Sequence, residues 1–485
     1  MTGDGSIATT LVQLWARRLE ASNGQTDGTP ALMAKFAGPQ SEYQPLSWTE
    51  VADKVSAWAA ALVELGVQPG DRVAMVAPNR WEWIITDLAI LSARGVHVPI
   101  HASLSGSQIL YQVRHSGARL LILAGAEQAA KLVDLADQLP EDLVLVSLDP
   151  LEQIIPGREI LDFRKWMEQG AASPRREQLL AEAVTHTQPG DVATILYTSG
   201  TTGEPKGVML SHSNLAINAQ TIKRIIAIRP DDVRLTWLPL SHIFARTCDL
   251  YSWIVSGIPL ALADSPESVV ANCQAIKPTL INGVPYFFDK LQRALVAQGA
   301  DKQPGALQHL LGGRARMCSS GGAALPDHTY HFFSEQGVFI SQGYGLTETS
   351  PVISTGLPDA FKVGTVGRPI DGVEVKIAED GEILTRGPHV MLGYWQQPEA
   401  TAEAIREGWF HTGDLGEIDS DGYLKITGRK KELIVTAAGK NIAPIYLEAL
   451  LTADPLIDQA MVVGDARKFL SALVVVNTAG VMSEA

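Results

Sequence analysis

From about Trp48 onward, short apolar runs of strand character alternate with segments of helical periodicity, and no other feature narrows the possible folds as far. Strands joined through helices lie side by side in one sheet, with the helices packed on its faces, so the rhythm predicts an α/β architecture. Arg72–Val76 reads as a strand ending in Ala77-Pro78-Asn79, residues 81–91 as a helix and Val96–Ile100 as the next strand. The same rhythm returns at Leu120–Leu123, 143–148 and 279–284. Between 364 and 428 the pattern changes to short runs separated by Asp371-Gly372, Asp380-Gly381 and Asp421-Gly422, pairs suited to tight hairpin turns, which predicts a small β-rich unit with a hinge after it. No internal repeat is visible. A chain of 485 residues exceeds one ordinary core, so two or more domains are expected.

Composition excludes several functions. Hydrophobic residues make up 46% and charged residues 19%, the balance of a globular enzyme rather than of a disordered or fibrous chain. A net charge of −14 with no basic run disfavours nucleic acid as a partner. Cys248, Cys273 and Cys318 are scattered without CxxC spacing, which indicates neither a zinc site nor a disulfide framework, so they are expected to be packing residues of a protein from a reducing compartment. Residues 1–8 show no basic patch leading into an apolar run, so no signal peptide is expected. The apolar stretch 253–263 is broken by Ser256, Gly257 and Pro259, far short of the ~20 residues that span a bilayer. The expected location is cytoplasmic, with peripheral membrane contact and oligomeric state left open.

The chemistry concentrates first at Tyr197-Thr198-Ser199-Gly200-Thr201-Thr202-Gly203-Glu204-Pro205-Lys206-Gly207, which follows a strand-like run over 192–196. Glycines let backbone N–H groups turn toward an anion, hydroxyls add donors, and Lys206 supplies a point charge: the parts of a phosphate cradle. The Walker spacing is absent, because Lys206 is followed by Gly207 and preceded by Glu204-Pro205. A second cluster joins Gly321-Gly322-Ala323 to Gln342-Gly343-Tyr344-Gly345-Leu346-Thr347-Glu348-Thr349. It offers exposed glycine backbone and an aromatic face for adenine at Tyr344, a hydroxyl at Thr347 for phosphate and a hard carboxylate oxygen at Glu348 for Mg²⁺. Asp414, in His411-Thr412-Gly413-Asp414, is suited to accept hydrogen bonds from ribose hydroxyls.

These segments, in this order, resemble the adenylate-forming superfamily, and the wording of Gln342–Thr349, 428–434 and Gly439-Lys440-Asn441-Ile442-Ala443-Pro444 is most similar to long-chain fatty acyl-CoA ligases. The resemblance runs from about Trp48 to Asn477. It implies a large N-terminal AMP-binding domain over 1–428, made of two α/β subdomains and a small β-rich subdomain, and a small, incomplete α+β C-terminal domain over 429–485. It implies a nucleotide site drawn from Thr198, Ser199, Gly200, Thr201, Thr202, Gly203, Gly321, Gly322, Ala323, Tyr344, Gly345, Thr347, Asp414, Arg429 and Gly439, with Mg²⁺ on Glu348 and Thr198 and a pivot at Lys431. Lys206, Glu348, Thr347 and His242 are its implied catalytic residues; His242, in Leu238-Pro239-Leu240-Ser241-His242, lines the acyl pocket or is an ordinary buried histidine. Trp237, Phe244, Tyr251 and 284–288 form either a hydrophobic acyl tunnel or ordinary core.

The implied reaction has two steps: a fatty acid carboxylate attacks the α-phosphate of ATP, giving acyl-adenylate and pyrophosphate, and the thiol of coenzyme A then takes the acyl group and releases AMP. Two departures bear on it. Ala437-Ala438-Gly439 stands where many relatives carry Gly-Gly beside the pantetheine tunnel, and Ala438 narrows that path. The lysines after Lys431 are Lys440 and Lys468, neither in the context of the family's adenylation lysine, so slow adenylation is expected. Residues 460–463 and 469–476 read as a hairpin around Gly464-Asp465 whose apolar surface lacks cover. The alternatives are a non-catalytic nucleotide or acyl-binding protein and an adenylation module that loads a carrier protein.

Overall fold

A computed structural model describes residues 9–23, 28–36, 41–152, 154–198, 204–263, 265–437, 441–452, 454 and 456–476. Two large sheets dominate. Among the described residues the first has eight strands, in the order Gly393–Tyr394, Lys206–Ser211, Val192–Thr198, Val96–Ile100, Arg72–Val76, Leu120–Leu123, Val144–Ser147 and Ile160–Asp162. Its run from Val192–Thr198 to Ile160–Asp162 is parallel, and Lys206–Ser211 and Gly393–Tyr394 close one edge antiparallel. The second, among the described residues, has nine strands and a parallel interior that includes Arg234–Thr236, Leu280–Gly283, Met317–Ser320 and Phe339–Gly345.

Strands covered by helices on both faces read as continuous apolar runs, which is why these were visible in the sequence. All five residues of Val96–Ile100 and all four of Leu120–Leu123 are buried. Arg72–Val76 and Val96–Ile100 have the expected limits; the helix between them extends to Ser92, and the strands expected over 143–148 and 279–284 are trimmed to Val144–Ser147 and Leu280–Gly283. Between the sheets lies one core that draws Val73 and Met75 from the first and Leu32 and Leu260 from the second. The helix Trp48–Glu64 enters it through a capping box in which Ser47 and Glu50 each satisfy the other's backbone N–H.

A wide helical turn, Arg246–Tyr251, fastens the two sheets from within. Arg246, fully buried, donates to Asp87 and, at 2.7 Å, to Thr194 of the first sheet. Three residues on, Asp249 accepts from Arg234 at 3.0 Å, Thr236 at 2.7 Å and Asn282 at 2.6 Å, all in the second.

The expected β-rich unit is a five-stranded antiparallel sheet built on Glu374–Ile377, Glu382–Arg386, Trp409–Ile418, Ile405–Arg406 and Leu424–Arg429 among the described residues. Gly372, Gly381 and Gly422 all take positive φ at the turns where the sequence placed them. The hairpin at the chain's end pairs Ile457–Val463 with Ser471–Val476, and Phe469 and Leu473 are each 67% exposed on it. The three cysteines are buried and free. Among the described residues no helix is long and apolar enough to cross a membrane.

Candidate functional site

The two sheets meet at a cavity of about 390 Å³ whose lining includes Thr198, His242, Gly321, Gly322, Tyr344, Gly345, Thr347, Glu348 and Arg429. Residues more than two hundred positions apart are thereby gathered at one opening. Lys206, Ala323 and Asp414 stand just outside that lining, and Ser199, Gly200, Thr201, Thr202, Gly203, Ala438, Gly439 and Lys440 lie outside the described residues.

Parallel strands end at this opening, which is where an α/β sheet leaves its loops free for ligands. Gly321 and Gly322 follow strand Met317–Ser320, and Tyr344-Gly345 ends strand Phe339–Gly345. Gly322 has φ +84°, and a Cβ on Gly321 would come within 3.1 Å of the Phe244 ring. At Gly345 a Cβ would fall 1.7 Å from the Pro351 carbonyl oxygen, so close packing of the chain on itself alone requires this glycine.

Lys206 is the first residue of strand Lys206–Ser211, in register with Thr198 on the neighbouring strand. Its ammonium lies 4.8 Å from the centroid of Tyr394, a cation–π contact. The Tyr394 hydroxyl in turn donates to Glu348 Oε1 at 2.9 Å. Burial pushes the Glu348 carboxyl above its usual range, while the Tyr394 hydrogen bond and the charges of Lys206 and Arg429 act against that rise. Tyr394 was not singled out in the sequence, where Gly393-Tyr394 carries no signal of pairing with a strand 185 or so residues earlier.

A second network holds the other side. Tyr344 donates its hydroxyl to Asp414 Oδ2 at 2.7 Å, and the Arg429 guanidinium pairs with Oδ1 at 2.9 Å. Asp414 and Arg429 face each other in register on neighbouring antiparallel strands, so the sheet fixes the pair. Burial raises the Asp414 carboxyl from its usual value, opposed by Tyr344 and Arg429. Each carboxylate oxygen keeps a lone pair for a further donor.

His242 caps the short helix Ile243–Ala245, its Nδ1 accepting from the Phe244 N–H at 3.2 Å. Solvent reaches its ring from the open cavity, yet the surrounding walls and, secondarily, His101 depress its pKa to about 4, so the imidazole is neutral at physiological pH. Of the apolar residues singled out in the sequence, Phe244 lines the cavity. Trp237 packs on Phe287 with ring centroids 4.8 Å apart, Phe288 and Tyr251 are fully buried in core, and Tyr286 points outward. The wall instead comes from Ile222, Ile225 and Ile226 of helix His212–Ile225 and the residue after it, together with Ile243. Their spacing of three and four along a helical segment was the available signal.

Residues 19–395 match the sequence profile of the AMP-binding enzymes, and residues 431–484 match that of the AMP-binding enzyme C-terminal domain. The long-chain-fatty-acid–CoA ligase FadD15 of Mycobacterium tuberculosis is 37% identical over 480 residues, covering 89% of this chain and 78% of that protein. The crystal structure of the anthranilate CoA ligase AuaEII in complex with anthranoyl-AMP superimposes with a TM-score of 0.84 at 22% identity, covering 100% of this chain and 91% of that one. ATP-bound MatB from Rhodopseudomonas palustris gives a TM-score of 0.77 at 27% identity, over 96% of this chain and 88% of that one.

Proposed function

The chain belongs to the AMP-binding enzymes, and on that premise we propose that it joins a fatty acid to coenzyme A at the expense of ATP, by way of an acyl-adenylate. The observation that carries this reading is the meeting of two surfaces in one cavity: the polar groups of Thr198, Thr347, Glu348 and Arg429, with Tyr394 and Lys206 adjoining Glu348 just outside the lining, and the isoleucine wall.

Adenylation brings two anions together, a carboxylate and a triphosphate, so the site must offset negative charge. Lys206 and Arg429 provide fixed positive charge at the mouth, and Thr198 and Thr347 present hydroxyls to it. Asp414, held by Tyr344 and Arg429, is placed to accept ribose hydroxyls. His242, neutral at physiological pH, can donate a hydrogen bond from Nε2 while Nδ1 is engaged, which suits it to orient the acid's carboxylate rather than to neutralise it. Glu348 is the one carboxylate of the cavity's described lining, and no group of three or more His, Cys, Asp or Glu side chains suited to a metal occurs among the described residues. That fits magnesium, which commonly takes one or two protein carboxylates and completes its shell with phosphate oxygens and water. Bound there, it would supply further neutralisation of phosphate charge.

The reading is tested by ATP–pyrophosphate exchange and thioester formation over a panel of straight-chain, aromatic and amino acids. Acid-dependent exchange with straight-chain acids and transfer to coenzyme A support it. Mg-ATP binding without exchange, or transfer to a phosphopantetheinyl carrier alone, would overturn it in favour of a binding protein or a carrier-loading module.

A further inference from the structure

The isoleucine wall does not continue to the cavity's floor. Arg234, only 2% exposed, is part of the cavity lining, and its Nε and Nη2 find no hydrogen-bond acceptor although both are buried. Only Nη1 is engaged, by Asp249 Oδ1 at 3.0 Å. Strand register confirms the direction of the side chain. Arg234 lies beside Leu280, and Leu280 beside Met317; these two pack with Ile222, Ile226 and Cys248 on the acyl-wall side, whereas Leu235 and Ile281 enter the core of the opposite face. Met317, level with Leu280 and so with Arg234, stands four residues before Gly321, so Arg234 sits about 13 Å along the sheet from the Gly321-Gly322 turn at roughly 3.3 Å per residue. It is therefore remote from the phosphate end and close to the acyl chain.

A buried guanidinium with two unused donors is costly unless something meets them. A plain alkyl chain offers no acceptor. A second carboxylate would bring another anion beside Asp249, whose charge already offsets that of Arg234, and would leave the buried cluster with a net negative charge. A neutral oxygen meets both demands, since it accepts from Nε–H or Nη2–H and adds no charge. We propose that this cavity selects acyl substrates carrying a neutral oxygen acceptor, a ketone or a hydroxyl, along the chain or at its far end, and that Arg234 is the residue that recognises it. The proposal rests on the assignment of the cavity to an acyl group and names the class of that group.

The test compares a medium-chain acid with its mid-chain oxo, its ω-hydroxy and its ω-carboxy derivatives, by titration calorimetry on the full chain and by kcat/KM for thioester formation. Charge-assisted hydrogen bonds predict a preference of about ten- to a hundredfold for the oxo or hydroxy acid over the unsubstituted one. The R234M/D249N double variant removes both charges, so no buried ion is orphaned, and should bring that ratio close to one; R234K, which keeps the charge but loses the planar fork, should lie between. Equal affinity for substituted and unsubstituted acids in the parent chain, a preference for the ω-carboxy acid, or a ratio unchanged in the double variant would each overturn the proposal. The parent's own discrimination decides the matter if the double variant does not fold. Failure of every acid to bind or react would overturn the fatty-acid reading as well, whereas reaction of the unsubstituted acid without any gain from oxygen removes this inference alone.

Discussion

The Tyr394 hydroxyl donates to Glu348 Oε1 at 2.9 Å while the face of the same ring receives the Lys206 ammonium at 4.8 Å. One tyrosine therefore stands between a cation and a carboxylate, touching the first with its ring face and the second with its hydroxyl. Backbone pairing sets the arrangement: Tyr394 is opposite Val208, and Gly393 opposite Met209, on the strand that Lys206 opens.

Replacing Lys206 by Ala should lower ATP–pyrophosphate exchange by roughly 10²–10³, the usual loss on removing one donor that stabilises a developing charge. Because the ammonium also rests on Tyr394, a small loss of stability, ~0.5–1 kcal/mol, should accompany it. Exchange kinetics and urea unfolding on the same preparation check both. Unchanged exchange would remove Lys206 from the phosphate site.

Tyr394→Phe should shift the acidic limb of the kcat/KM profile to higher pH. The hydroxyl donates to the charged form of Glu348 and holds its pKa down against burial, so losing that bond raises the pKa further and a larger fraction of the carboxylate is protonated at any given pH. The magnesium concentration for half-maximal activity should rise with it. A pH profile identical to the parent's would show that Glu348 does not govern that limb.

His389 is buried, and burial depresses its pKa to about 4. The unfolded chain therefore binds a proton here that the folded chain does not, from about pH 6.5 down to about 4, and stability falls as pH falls through that window. The contribution is on the order of 3 kcal/mol across the whole interval. His389→Gln, which does not titrate, should show a shallower acid loss of the urea midpoint. Parallel curves for parent and variant would mean that His389 protonates in the fold as easily as outside it.

With an isoleucine wall at the cavity, kcat/KM should climb with acyl length from acetate upward, each buried methylene contributing about 0.8 kcal/mol. Ile225→Phe should move the optimum to shorter acids by taking up cavity volume. A preference for acetate in the parent, or an optimum unmoved in the variant, would place the acyl chain elsewhere.

What the sequence revealed follows from how far each signal extends along the chain. Val96–Ile100 and Leu120–Leu123 were legible because strands buried on both faces are uniformly apolar, a property of four or five adjacent residues. Asp414 and Tyr344 were legible as members of ordered motifs. Tyr394 was not, since its role exists only through an edge-strand pairing with Val208, and nothing local to Gly393-Tyr394 records that partner. Arg234 escaped for a similar reason: it precedes an apolar run and reads as a strand boundary, and only the fold brings Asp249, itself held by Asn282, against it. The aromatic residues near His242 could be read either as cavity wall or as core, because size and hydrophobicity alone do not separate the two; the fold puts Phe244 on the cavity and Tyr251 and Phe288 in the core.

The turn at Arg246–Tyr251 grips Thr194 with one side chain and Arg234, Thr236 and Asn282 with another. Thr194 belongs to the strand that ends at Thr198, and both Thr198 and Arg234 line the cavity. On the proposed function these are the seats of the two co-substrates, and a single six-residue segment rivets them, so the scaffold rather than each arriving ligand sets the distance between them. Substitutions at this rivet should act on the alignment of carboxylate with α-phosphate while touching neither.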